Sequence, residues 1–239
     1  MAISERTFAD RLGRAQQMQA AVGTFATAFA PADPTLVAAA FQTYLDGLDT
    51  LNTETGTSVT QYSTEVDVRG EMVKDIKART LRVLSFVESN SAWAKFARGI
   101  KKLADKIRGN RPRKPAAPAP GETPGSPTAK ARNTGEQSFV ETAENFQQLV
   151  AAVAGITGYT PPAAEITVAN LTTLADDFSA KNKAMAKLGR QTALKQKERL
   201  DAYDVPGGLS EKMIAIKKAV RAQYGTTSAE FDAVKGIKV

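Results

Sequence analysis

One segment, residues 109–136, divides this chain into two halves. It reads GNRPRKPAAPAPGETPGSPTAKARNTGE and holds six of the eleven prolines of the 239-residue chain, with no aliphatic side chain larger than alanine. Proline lacks an amide proton and has a fixed φ, so a helix does not continue through a stretch this rich in it. Because no large apolar group offsets the entropy cost of ordering the backbone, the segment predicts a flexible, partly polyproline-like linker.

The first half, residues 1–108, begins with the apolar spacing of an amphipathic helix. Apolar residues recur three and four apart, as Phe8, Leu12, Ala15, Met18, Val22, Phe25 and Phe29. Thr7 is the candidate N-cap, with an acidic residue three positions later. Pro31 and Pro34 predict the end of this helix and the start of the next.

The second predicted helix is long, because two rows of residues recur every seven positions. One row is Val37, Tyr44 and Leu51, and the other is Phe41, Leu48, Thr55 and Tyr62. This spacing predicts lengthwise packing on neighbouring helices. The residues from Asp67 to Gly70 predict a bend or break, after which a third helix runs to Val87 and a fourth begins near Trp93.

The second half, residues 137–239, repeats this plan. Three short motifs recur at offsets of 131, 130 and 137 residues: Glu5–Phe8 with Glu136–Phe139, Phe29–Pro31 with Tyr159–Pro161, and Gly99–Lys101 with Gly236–Lys238. The larger last offset is explained by a turn at Asp204 to Gly208. The sequence therefore predicts an all-α protein of two homologous antiparallel helical bundles, each with three long helices and a short one, spanning 1–108 and 137–239.

These duplicated features resemble two-repeat helical proteins of Bacteroidota. The resemblance rests on the repeated E-x-[ST]-F opening, the aromatic-x-Pro break before a long helix, and the closing Gly-Ile-Lys. It implies an all-helical fold. It implies no assigned activity and supplies no functional residue.

Composition argues against an enzyme. The chain has no cysteine and no histidine, so it lacks thiolate chemistry and the commonest metal ligand and general base. Metal sites in helical bundles use inward Glu and Glu-x-x-His pairs, so solvated acids are the favoured interpretation of Asp46, Asp49, Asp176 and Asp177. We therefore expect a non-enzymatic protein with no catalytic residue, no cofactor and no metal.

Two lysines leave a catalytic alternative open. Lys181 and Lys195 fall on a heptad row of the second half's long helix. A buried lysine with a lowered pKa acts as a base. A lysine at a bundle edge more often extends its stem along apolar surface and keeps its charge in water. A phosphate-binding loop is not predicted, since Pro206-Gly207-Gly208 lacks a following Gly-Lys-Ser/Thr.

The start of the chain, MAISERTFADR, has no apolar stretch typical of a secretory signal. The longest apolar run, Leu149 to Ile156, is too short to cross a bilayer. These observations predict a cytoplasmic protein with no transmembrane segment.

Positive charge is concentrated in one window before and into the linker. It contains nine basic residues and one acid, Asp105: Lys95, Arg98, Lys101, Lys102, Lys106, Arg108, Arg111, Arg113 and Lys114. The window carries a net charge of +8, whereas the whole chain carries +7, so the rest of the chain is close to neutral. The first six lie on a predicted helix whose other face is apolar, and the last three lie in the predicted linker.

Several interpretations of this basic stretch compete. It suits nucleic-acid phosphates, an anionic membrane surface or an acidic protein partner. Alternatively, the apolar face completes the first bundle and the charges only maintain solubility. The favoured function is a structural or protein-interaction role, as a scaffold or adaptor for an unknown protein partner. The alternative is nonspecific nucleic-acid binding through Lys95 to Lys114, and the heptad rows are also compatible with a homo-oligomer.

Overall fold

The computed structural model describes residues 5–25, 28–109 and 138–239, and in these ranges the chain is helical with no strand. The helices are α1 (Glu5–Thr24), α2 (Ala38–Glu88), α3 (Ala94–Arg108), α4 (Phe139–Ala154), α5 (Val168–Asp204), α6 (Leu209–Tyr224) and α7 (Ala229–Lys235). Short 3-10 helices at Pro34–Leu36, Ser91–Trp93 and Ala164–Ile166 precede α2, α3 and α5. The predicted all-α class is confirmed for the described residues. The predicted linker from residue 110 onward lies outside them.

The helix ends follow local chemistry in most places. At α4, the Oγ of Ser138 accepts a hydrogen bond from the backbone N–H of Glu141, 3.0 Å away, and the Glu141 carboxylate accepts one from the backbone N–H of Ser138. This reciprocal pair is a capping box, and Ser138 is the residue that the predicted repeat matches to Thr7. At α1 the prediction is wrong, because the helix already begins at Glu5 and Thr7 lies in its first turn.

The predicted break at Asp67 to Gly70 is absent, since α2 runs without interruption for 51 residues. A single glycine in a helix interior costs only about 1 kcal/mol, and the segment contains no proline. Packed side chains anchor the helix here: Arg69, inside the segment, stacks on Phe139, and Ile76, beyond the segment, is fully buried. The turn predicted at Asp204 to Gly208 is present, because α5 ends at Asp204, before Pro206 and two glycines.

The first compact unit joins residues 1–64 with residues 187–239. It contains α1, the N-terminal part of α2, the C-terminal part of α5, α6 and α7. Its core consists of Phe8, Leu12, Ala15, Met18, Val22, Phe29, Leu36, Phe41, Leu45, Leu48, Tyr203, Leu209, Met213, Ile216, Val220 and Val234. Tyr203 is fully buried, with its ring edge-on to Phe8 and its hydroxyl accepting a 2.7 Å hydrogen bond from Asn52 Nδ2.

The second compact unit comprises residues 65–186. It contains the C-terminal part of α2, α3, α4 and the N-terminal part of α5. Its core consists of Ile76, Val83, Val87, Ile100, Ile107, Ala143, Phe146, Leu149, Val150, Val153, Ile156, Ile166, Leu171, Ala175 and Phe178. Phe86, Trp93 and Tyr159 add an aromatic cluster, with ring centroids 5.4–6.0 Å apart.

These units differ from the predicted bundles 1–108 and 137–239, because each unit takes segments from both halves of the sequence. The long helices explain the difference. An unbroken α2 does not fold back on itself as the predicted break would allow, so its two parts pack with different partners. The 37-residue α5 divides between the units in the same way, between residues 186 and 187.

Gly208 marks the point where backbone packing tolerates no side chain. A Cβ at this position would lie 2.9 Å from the Val205 carbonyl oxygen and 3.0 Å from that of Ala202. We expect Gly208→Ala to lower the free energy of unfolding by roughly 1–3 kcal/mol, since these backbone atoms must shift. Urea titration measures the change, with Gly236→Ala as the control because its Cβ would meet open space. Equal midpoints for the two variants would contradict the expectation.

Candidate anion-binding face on α3

Six of the nine predicted basic residues lie on α3, and all six are exposed: Lys95, Arg98, Lys101, Lys102, Lys106 and Arg108. At about 100° per residue they cover an arc of about 160° around the helix. We call this surface the α3 basic face. None of the six forms a salt bridge with a described residue. The Nζ of Lys95 lies 5.0 Å from the centre of the Phe96 ring, on the same helix.

The opposite side of α3 holds the helix in place. Ile100, Ala104 and Ile107 are almost completely buried, and Phe96 and Leu103 are partly buried beside them. One interpretation of the sequence is that this apolar side completes the first bundle, residues 1–108. Instead, α3 packs against α4 of the second half, within the core of the second unit. The basic face is therefore turned outward by a buried apolar stripe.

Helix stability accounts for only part of this charge. Cations near a helix C-terminus are stabilised by the helix dipole, which suits Lys106 and Arg108 in the last turn. Gly109, with a φ of 78°, then ends the helix. Lys95 and Arg98 lie near the N-terminus, where the same dipole disfavours positive charge. Their presence is not explained by the stability of α3.

The second half provides an internal comparison. The predicted repeat aligns the end of α7 with α3 through the Gly-Ile-Lys motifs, although Gly99 lies inside α3 and Gly236 follows the last residue of α7. That helix also packs into a core, through buried Val234, yet it carries Glu230 and Asp232 beside Lys235. A short helix of this chain therefore packs into a core without a cationic surface.

The other three predicted contact residues, Arg111, Arg113 and Lys114, lie outside the described residues. The predicted solvated acids Asp46, Asp49, Asp176 and Asp177 are all exposed. Among the described residues, no three histidine, cysteine or carboxylate side chains come together as metal ligands.

The two lysines considered as catalytic bases are ion-paired. Lys181 Nζ lies 2.6 Å from the Glu65 carboxylate, and Lys195 Nζ lies 2.6 Å from that of Glu54. Both pairs are partly exposed. Such pairs are typical of structural contacts between helices.

Three tyrosines, Tyr44, Tyr159 and Tyr203, have a raised pKa. Burial raises the pKa of Tyr159 to about 12, and its hydroxyl donates to the backbone oxygen of Ile166 at 2.9 Å. Burial also raises the pKa of Tyr44 and of Tyr203. A phenol with a raised pKa stays protonated at neutral pH, whereas a general base needs a pKa near the working pH.

The structure also contains a groove that sequence reasoning missed. It lies between α2 and α5 in the first unit, has a volume of about 500 Å³ and is wide open to solvent. Its lining is Thr53, Glu54, Thr57, Ser58, Gln61, Leu188, Gln191, Leu194 and Lys195. The charged pair in this set, Glu54 and Lys195, is already joined, so the groove offers no free titratable group among its lining residues. The only sequence feature that could have indicated the groove is the set of small residues in its α2 wall, such as Thr57 and Ser58, because small side chains are unusual in a heptad row.

None of the described helices combines the length and apolar composition needed to cross a bilayer. Comparisons of the chain with protein-family models, curated proteins and solved structures find no match in any of the three.

Proposed function

We propose that the protein is a non-enzymatic scaffold or adaptor that holds a negatively charged partner on the α3 basic face. The observation that carries the proposal is the set of six exposed cations that form no salt bridge with a described residue, on a helix fixed by its buried side. Cations held apart from carboxylates attract an acidic partner and steer its approach. A rigid helix presents them in a constant arrangement, which suits a binding surface.

The same geometry disfavours a membrane surface as the partner. An amphipathic helix binds a bilayer by inserting its apolar side among the lipid chains. In α3 that side is buried in the core, where Ile100 and Ile107 are at most 1% exposed. Insertion would require α3 to leave the second unit and expose its core.

Charge reversal tests the proposal. The variant combines Lys101→Glu, Lys102→Glu and Lys106→Glu, and the control combines Lys183→Glu, Lys187→Glu and Lys218→Glu, which lie on exposed sites outside α3. Both change the net charge equally. The probe is a fluorescent polyglutamate peptide, followed by anisotropy. We expect the α3 variant to bind on the order of a hundredfold more weakly and the control to bind nearly as the parent does. Equal losses would show only nonspecific charge attraction and contradict a defined face.

Nucleic acid is the second candidate partner, and one observation favours it. The outward side of α3 displays no exposed aromatic or large aliphatic side chain, since Trp93 and Phe96 pack toward the core. Protein interfaces depend on aromatic anchors and are poor in lysine, whereas a phosphate backbone is bound by cations alone. Such binding would not read base sequence. In the same assay, binding to a mixed-sequence DNA duplex but not to polyglutamate would identify nucleic acid, rather than an acidic protein, as the partner.

A further inference from the structure

Contacts between the two halves of the sequence build the core of the first unit. Arg11, in the first half, donates hydrogen bonds to Asp204 Oδ1 at 2.5 Å and to Ser210 Oγ at 2.7 Å, in the second half. The Tyr44 hydroxyl donates to the backbone oxygen of Ala202 at 2.6 Å. Among the described residues, sixteen form this core, of which ten come from the first half and six from the second. Neither half supplies this core alone.

The core of the second unit also depends on both halves of the sequence, and here the second half supplies the larger share. Arg79 donates to the backbone oxygen of Glu165 at 3.0 Å, and Arg82 pairs with the Glu165 carboxylate. The ring of Phe86 lies 5.4 Å from that of Tyr159. Of the fifteen described residues in this core, five come from the first half and ten from the second.

One contact occurs in both units at matching places. In the first unit, the Arg199 guanidinium lies 4.3 Å from the centre of the Phe8 ring. In the second unit, the Arg69 guanidinium lies 3.7 Å from the centre of the Phe139 ring. The phenylalanines are 131 positions apart and the arginines 130, which are the offsets of the sequence repeat. Each half therefore places an arginine from its long helix on the first helix of the other half.

We infer that the two halves are reciprocal binding partners that stay together without the covalent connection between them. Each half contributes large apolar surface to both units, and that surface is covered only when the other half is present. The occupant of the binding surface on residues 1–109 is thus residues 138–239 of the same chain. This inference is independent of any partner of α3.

Cleavage of the full-length protein tests the inference. A protease recognition sequence is inserted among residues 110–137, and the folded protein is cut under native conditions. Light scattering after size exclusion is expected to give one species near the intact mass of 25.5 kDa. Unfolding of the cut protein should become dependent on protein concentration, since its products are two chains. Two folded species, each about half the intact mass and separable by dilution, would overturn the inference.

The arginine–phenylalanine contacts supply a second test on the cut protein. The double variant Arg199→Lys and Arg69→Lys keeps both positive charges but removes the planar guanidinium groups that stack on the phenylalanine rings. We expect the dissociation constant between the halves to rise about tenfold or more. Arg190→Lys is the control, because Arg190 is exposed on α5. An unchanged dissociation constant in the double variant would contradict a role for these contacts in joining the halves.

Discussion

A mixed-sequence DNA duplex is expected to bind about a thousandfold more weakly at 200 mM salt than at 50 mM if nucleic acid is the partner of the α3 basic face. Each cation that neutralises a phosphate releases a condensed counterion, and the logarithm of the binding constant then falls with the logarithm of salt with a slope of about −0.9 per contact. The face offers six such cations. Fluorescence anisotropy at four or five salt concentrations measures the slope.

The charge-reversed α3 variant tests whether the salt dependence comes from the α3 basic face. With Lys101, Lys102 and Lys106 replaced by glutamate, three cations remain on the face, so the loss over the same salt range should shrink to about fortyfold. The control variant of Lys183, Lys187 and Lys218 should keep the parent slope. A parent affinity that hardly changes with salt would exclude phosphate contacts as the basis of binding.

The second large effect is expected at Gly70, in the interior of α2. Gly70→Pro should lower the free energy of unfolding by at least about 3 kcal/mol, because proline removes a helical hydrogen bond and clashes with the preceding turn. Gly70→Ala should raise it by roughly 0.5–1 kcal/mol, since alanine reduces the entropy lost on folding. A Cβ at this position meets nothing within 4 Å. Urea unfolding followed by circular dichroism measures both changes.

Opposite signs for the two substitutions distinguish a continuous helix from a bend. If the chain turned at Asp67 to Gly70, proline would be tolerated there and alanine would bring little benefit. Gly56→Ala is a matched control, because Gly56 also lies inside α2 with open space around its Cβ. A stable Gly70→Pro variant would contradict the uninterrupted α2.

Local chemistry made the helix class and several helix ends predictable. Pro31 and Pro34 separate α1 from α2, and Pro161 lies at the same place between α4 and α5. Ser138 and Glu141 form a capping box at the start of α4. Proline geometry and capping depend on residues a few positions apart, so a single sequence contains the necessary information.

The grouping of helices into units was not predictable in this way. The spacing of apolar residues identifies which side of a helix is buried, but does not identify the helix that covers it. Arg11 and Asp204 are far apart in sequence, and nothing near either residue indicates their contact. The continuity of α2 was not predictable for the same reason, since it depends on a contact between distant residues. Packing of Arg69 on Phe139 offsets the weak helix propensity nearby.

The candidate site was likewise predictable only in part. The outward direction of the six α3 cations follows from the spacing of Ile100, Ala104 and Ile107, which a helical pattern reveals. The open groove between α2 and α5 left no periodic signal, because its lining mixes threonine, glutamine and leucine from two distant segments.

The hydroxyl pair within the α2–α5 contact has a consequence for helix alignment. Ser58 and Thr192 are both more than nine-tenths buried, and their hydroxyl oxygens lie 2.8 Å apart. Sliding one helix by a turn would leave two buried hydroxyls without each other, at a cost of about 1–3 kcal/mol for each unsatisfied group. A purely aliphatic contact would tolerate such a slip more readily. These two small side chains thus select one axial register for a pair of long helices whose heptad rows would otherwise permit several.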